Sequence, residues 1–191
     1  MNLKELRNEI LKDNSDTLNN ADITGWINRG LDELSLVARF KKTISFPLIE
    51  NQTDYKLPSD FLKNVIVSYT KDSISSKLPY LTLSNFHQTG YKIIGNTLSI
   101  QNLKNVSSIN LVYEANLPHL VSDTDIPAIP IVFHDLLVLY TLTRTKYKDQ
   151  IDDLQSIAMN DYMRRKNELI EYVKNLEARP RKVIDVYGDW L

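Results

Sequence analysis

Apolar residues in this chain form two blocks of helical spacing, separated by a long stretch of alternation. Ile23, Trp26, Ile27, Leu31, Leu34 and Ala38 recur at the intervals that keep side chains on one face of an α-helix. They predict a helix from residue 20 or 22 to about residue 40, with Trp26 packed on its apolar stripe. A shorter amphipathic helix is expected over residues 2–13. There Leu3, Leu6 and Ile10 share a face, and Asn2 with Glu5 has the reciprocal pattern of a capping box. Residues 14–17 read as a loop. Gly30 sits inside the second helix at a cost of roughly 1 kcal/mol relative to Ala, which a close helix crossing would explain.

After residue 42 the period falls to two, as in half-buried strands. Residues 43–49 form the first predicted strand, with Pro47 marking an edge or a strand end. Residues 55–57 form a second, 57–61 a turn, and 64–70 a third. A fourth strand is expected at 78–83 and a helical turn at 84–88. Residues 91–100 make the clearest hairpin, because Gly95 and Asn96 both tolerate the positive φ of a two-residue turn. Residues 108–113 close the series. Five or six antiparallel strands suffice for a small sandwich or a curved sheet.

The second helical block follows an irregular connection over 116–128. Pro130 is expected to start a helix, since a missing N–H is harmless in the first turn. Leu136, Leu137, Val138, Leu139 and Tyr140 are apolar on every side, which marks a central, covered helix. The last helix is predicted over 151–178, with Ile151, Leu154, Ala158, Tyr162, Leu169, Val173 and Leu176 as its stripe and Pro180 as its stop. Beyond it, Val183, Ile184, Val186, Tyr187, Trp190 and Leu191 make an apolar tail of a kind that solvated tails normally lack. Tryptophan is enriched at interface hot spots, so Trp190 is read as docking on a partner. The fold class is therefore α+β, one domain in all. Residues 1–42 and 128–178 form a helical bundle, 43–118 an antiparallel β insertion, and 179–191 an extended C-terminal arm.

Composition narrows the functional classes. The 191 residues carry a formal charge of −1, without the strongly basic footprint of a dedicated nucleic-acid binder. There are no cysteines, which excludes disulfides, thiolate metal sites and a thiol nucleophile. No apolar run approaches the roughly 20 residues that span a bilayer, so no membrane role is expected. His87, His119 and His134 lack metal-ligand spacing and read as surface or capping residues. Asp123 and Asp125 suggest a polar turn: a calcium loop starting there would need Gly and Glu where Ala128 and His134 stand. Asp152 and Asp153 complement a helix dipole. Arg164 and Arg165, with Lys166, lie among Asp161, Glu168 and Glu171 and read as a solvated, paired face. No nucleotide-binding or nucleophile-elbow motif occurs. No enzymatic activity, catalytic residue, metal or cofactor is expected.

The order of elements resembles the head-to-tail adaptor (connector) proteins of tailed bacteriophages. The residues that carry the likeness are the helix from Trp26 to Leu34, the turn Leu57 to Phe61, the paired-strand region, the apolar helix opened by Pro130, and the long charged helix after it. The resemblance covers about residues 20–178. It implies a structural, non-catalytic virion protein at the head–tail interface, present in host cytoplasm during assembly. It implies a homo-oligomeric ring, commonly of twelve copies, bound beneath the portal protein and offering a surface to a tail or stopper protein. DNA would pass through its channel without sequence-specific binding. By position, Arg179, Arg181, Lys182, Val183, Ile184, Val186, Tyr187, Trp190 and Leu191 would dock on the portal or a neighbour. The alternatives are another tail-completion or stopper component, or a DNA-binding module. The last is disfavoured because residues 13–20 make a connection longer than a helix-turn-helix turn.

Overall fold

The computed structural model describes residues 1–12, 18–50, 52–71, 74–82, 85, 87–104, 106–148 and 152–177. The protein is α+β: along the chain, helices precede and follow a run of antiparallel strands. It divides into two compact units, Met1–Gly30 with the chain from Leu120 onward, and Leu31–His119. The division falls inside the second helix.

In the first unit, α1 (Leu3–Lys12) opens with the expected capping box. The Glu5 N–H donates to Asn2 Oδ1 at 2.9 Å and the Asn2 N–H to Glu5 Oε2 at 3.0 Å. Leu3, Leu6 and Ile10 are fully buried. Helix α2 (Asn20–Ala38) is capped by Asn19, whose Oδ1 accepts the Asp22 N–H at 2.7 Å. It ends at Ala38, two residues short of the expected limit, because Arg39 adopts φ 48°, the left-handed conformation that terminates helices. Ile23 and Ile27 are fully buried, whereas Trp26 is only half-buried.

Pro130 does not start an α-helix. It caps a 3-10 turn, η1 (Ile131–Phe133), and α3 (Asp135–Lys148) follows. Leu136, Leu137, Val138 and Tyr140 are buried together with Thr141, Thr143 and Thr145. The threonines are tolerated because each hydroxyl donates to a carbonyl of its own helix, at 2.7–3.0 Å. Helix α4 (Asp152–Glu177) lies against α3, with its Tyr162 ring edge-on to Tyr140 at 5.5 Å. Tyr162, Leu169 and Val173 are buried, but Leu176 is 68% exposed, so the stripe ends a turn earlier than its spacing suggests. Ile151 and Pro180 lie outside the described residues.

Gly30 is explained by a crossing. A Cβ there would lie 3.0 Å from Tyr140 Cδ1 and 3.4 Å from Leu137 Cδ2, so α2 meets α3 backbone to side chain. Gly25, on the same helix, faces open space.

In the second unit, β1 (Lys41–Pro47), β7 (Ser108–Ala115), β3 (Phe61–Lys71) and β4 (Ile74–Lys77) form one sheet in that spatial order. A second sheet has the order β2 (Asp54–Lys56), β6 (Thr97–Gln101), β5 (Gly90–Ile94). Both are antiparallel, and β1 is the edge that Pro47 foretold. Gly95, at φ 58°, turns the β5–β6 hairpin as expected. The fourth strand is displaced: it is Ile74–Lys77 rather than 78–83, where Tyr80 makes only a single bridge to Tyr91. Asn85, His87 and Gln88 lie in turns and bends, not in the expected helical turn. The sheets share one apolar core of Tyr55, Val67, Leu98, Ile100, Ile109 and Leu111, which makes a small sandwich. Phe46 of one sheet meets Tyr55 of the other at 6.0 Å, and the Tyr91 hydroxyl donates across to the Val65 carbonyl at 3.0 Å.

The two helical glycines should respond with opposite sign. Gly30→Leu, which overfills the α2–α3 crossing, should lower the unfolding free energy by about 1–3 kcal/mol. Gly25→Ala should raise it by about 0.5–1 kcal/mol. Urea denaturation of both variants beside the parent chain checks this.

Candidate functional site

The arm residues Arg179, Arg181, Lys182, Val183, Ile184, Val186, Tyr187, Trp190 and Leu191 lie outside the described residues. What the described residues assemble is a set of polar clusters that fix backbone, with apolar side chains displayed between them.

The strongest cluster joins η1, α3 and α4. Arg165 donates from Nε and Nη2 to Asp135 at 2.7 and 3.0 Å, and from Nη2 to the Val132 carbonyl at 2.5 Å. It also donates to Glu168, and its guanidinium covers the Phe133 ring at 5.1 Å. The hydrogen bonds to Asp135 and then Glu168 raise its pKa further. Sequence spacing exposed the Glu168 partner but not Asp135, which comes from another helix. Arg164 does behave as a solvated pairing residue, with Glu168 at 3.0 Å and Asp161 at 3.5 Å.

The connection back into the helical unit is held as firmly. Asp125 Oδ2 accepts the N–H groups of Val121 and Ser122, both at 2.8 Å, and those two bonds lower its pKa. Asp123 accepts from Arg7 at 2.6 Å, and Arg7 also reaches Thr24 at 2.9 Å. The Asp125 and Asp123 carbonyls accept the Leu3 and Lys4 N–H groups at the start of α1. These carboxylates therefore build a turn, as their spacing suggested. Asn28 was not singled out by sequence, yet its amide both donates to the Leu120 carbonyl at 3.0 Å and accepts the Leu120 N–H at 2.8 Å.

His134 is not a surface residue, but it does cap: it closes η1, its N–H donating to the Ile131 carbonyl at 3.3 Å. It is 2% exposed, with Nε2 donating to the Ile129 carbonyl at 3.1 Å and Nδ1 accepting from the Met1 amino group at 2.8 Å. Burial, foremost, pushes its pKa down and keeps the ring neutral.

In the β unit, Asp60 receives Lys42 Nζ at 2.5 Å and the Tyr113 hydroxyl at 2.9 Å. Burial opposes its charge, but the Lys42 and Tyr113 bonds prevail and hold its pKa below the usual carboxylate value. Burial, with the Asp60 bond and charge, pushes Tyr113 up to about 12. Nearby, His119 pairs with Asp32 at 2.8 Å. The open depression between these pairs, about 350 Å³, holds groups already bonded to one another.

Among the described residues no three His, Asp or Glu converge as a metal-ligand set, and no helix is long and apolar enough to cross a membrane. The exposed apolar side chains of the helical unit are conspicuous instead: Val121, Ile126, Ile131, Val132, Met163 and Tyr172. Val121 and Ile126 project from the loop that Asp123 and Asp125 make rigid. A scaffold that spends its polar groups on its own backbone and presents fixed apolar surface belongs to the class of interaction proteins. Its family is specific: the chain belongs to the SU10 adaptor proteins, a phage head–tail adaptor family, whose model matches residues 1–183. No curated protein matches the chain. The protein is accordingly a structural adaptor and a virion component.

Two outcomes follow from the clusters. Arg165→Lys and Arg165→Ala should each cost about 1–2 kcal/mol, because a lysine cannot reproduce the fork. A double-mutant cycle with Asp135→Asn, followed by thermal melts, should show the coupling.

Asp60 and Tyr113 should shape the two ends of the stability–pH profile. The folded pKa of Asp60 lies below its unfolded value, so its contribution is complete above about pH 4. It is lost as pH falls through the folded pKa, and Asp60→Asn should flatten that limb. The folded pKa of Tyr113 lies above its unfolded value of about 10, so its contribution holds below that pH. It is lost as pH rises toward about 12, and Tyr113→Phe should flatten the alkaline limb. Melting temperatures across pH check both.

Proposed function

We propose that this adaptor forms a closed ring on the portal protein of DNA-filled heads, extends the DNA exit channel, and provides the surface on which a tail or stopper protein assembles. The observation that carries the reading is the match to the adaptor family along residues 1–183, which spans both units. The net charge of −1 suits a channel component that DNA passes without being gripped. Residues 179–191 act as the docking arm. Val183, Ile184, Val186, Tyr187, Trp190 and Leu191 supply apolar contacts, and Arg179, Arg181 and Lys182 supply charge toward the portal or a neighbour. Subunits are monomeric alone and close into a ring on the portal, which presents many equivalent sites at once.

Mixing purified protein with DNA-filled heads that end at the portal tests this. Imaging should show a ring at the portal vertex, and the added mass gives its copy number. Absence of binding by folded protein would overturn the reading in favour of a later tail component. Removal of residues 179–191 should abolish attachment; unchanged attachment would overturn the role of the arm.

A further inference from the structure

The buried line of α4 runs through Tyr162, Leu169 and Val173. About a quarter turn to one side lie Met159, Met163 and Ile170. The two methionines are 40% and 46% exposed. About a quarter turn to the other side lie Arg165 and Tyr172, and there η1 runs alongside: Phe133 meets Tyr172 edge-on at 5.4 Å, and the Val132 carbonyl accepts from Arg165. Ile131 and Val132 project from η1 at 74% and 61% exposure. One helix thus carries two different apolar flanks facing opposite ways.

The flanks also differ in charge. Among the described side chains, Lys166 and Lys174 border the methionine flank and outnumber the one carboxylate there, Glu171; Lys166 lies over the Tyr162 ring at 5.6 Å and Lys174 pairs with Glu171 at 3.1 Å. Asp135, Asp161 and Glu168 border the η1 flank and outnumber Arg164 and Arg165, with which they pair. Two patches that differ in shape and are opposite in charge balance do not suit a two-fold contact, in which one patch meets itself. They suit a heterologous contact, in which one face of each copy meets the other face of the next and repetition closes a ring. Methionine adds a side chain that adapts to its partner. A depression of about 410 Å³, lined among the described residues by Gln155, Ser156, Met159 and Asn160, lies at the end of that flank.

We infer that the occupant of each flank is a second copy of this chain: Ile131 and Val132 of one subunit pack against Met159 and Met163 of the next. The inference rests on the ring reading and gives it a subunit interface.

The absence of cysteine makes the test direct. Val132→Cys and Met163→Cys are placed together in one chain and separately in two, and folding is checked by circular dichroism. Rings assembled on heads are treated with a short bismaleimide. The double variant should give a ladder of covalent oligomers. Each single variant alone should stay monomeric, and an equal mixture of the two should stop at dimers. Met163→Asp should reduce ring occupancy at least tenfold, whereas Ile94→Asp, on the exposed end of β5, should not. If the double variant forms rings but no ladder, or if one single variant yields dimers, the pairing is overturned while the ring stands. If the unsubstituted chain forms no ring on heads, both readings fall together.

Discussion

The helical unit depends on burying most of α3 with segments that lie far apart in the chain. Gly30 is the tightest point of that arrangement. Its missing side chain leaves room for Tyr140 and Leu137, and Tyr140 in turn takes the Tyr162 ring of α4 on another side. On the covered faces of α3 polar groups cannot reach water, although Arg144 does at the surface. The helix's three buried threonines therefore turn their hydroxyls onto their own backbone, which removes the cost of an unsatisfied donor. Contacts of such long sequence separation are reached only after a large loss of chain entropy, so the residues that fix the returning segment matter as much as the apolar ones.

That segment is fixed by short polar side chains of α2. Within the helical unit, Asn28 pairs with both backbone groups of Leu120, as a neighbouring strand would. Within the β unit, the buried Ser35 hydroxyl accepts the Leu117 N–H at 2.9 Å while donating to Leu31. Each satisfies a backbone group that irregular chain would otherwise leave without a partner. The same economy explains why the carboxylates do not converge into a reactive cluster. Asp60, Asp123, Asp125 and Asp135 each have a partner that positions main chain or a neighbouring element.

Local physics was legible in the residue pattern, and partner identity was not. The α1 capping box, the Gly95 turn, the edge character of β1, the covered α3 and the crossing at Gly30 all depend on residues close in sequence or on one conspicuous glycine. Pro130 misled because its fixed φ also suits an extended residue just before a 3-10 turn, where it stands as the N-cap with ψ 137°. The fourth strand slipped because Leu78 and Leu81 are buried while making no regular ladder: apolar alternation reports burial, not hydrogen bonding. Leu176 kept the helical period past the point where α3 offers a surface. Arg165 and Asn28 escaped because each draws its role from a segment distant in sequence, and nothing local distinguishes such a side chain from a solvated one. The family likeness was readable from element order alone, which survives when individual motifs degenerate.

An adaptor on the proposed ring has to offer two unlike faces to copies of itself without sealing itself into pairs. Apolar area alone does not provide this, since association also costs translational and side-chain freedom and a self-complementary patch would close on itself. The arrangement on α4 separates the two requirements. Arg165 consumes the charges that would otherwise hydrate the η1 flank, which lowers the desolvation cost of covering Ile131 and Val132. The methionines opposite leave a deformable surface that loses little by waiting in water. A stable interface buries roughly 800 Å² per partner; contacts below that are weak one by one, and a template that gathers many copies makes them cooperative. Weak, directional flanks on a rigid helix thus favour assembly where the portal concentrates subunits over assembly in free solution.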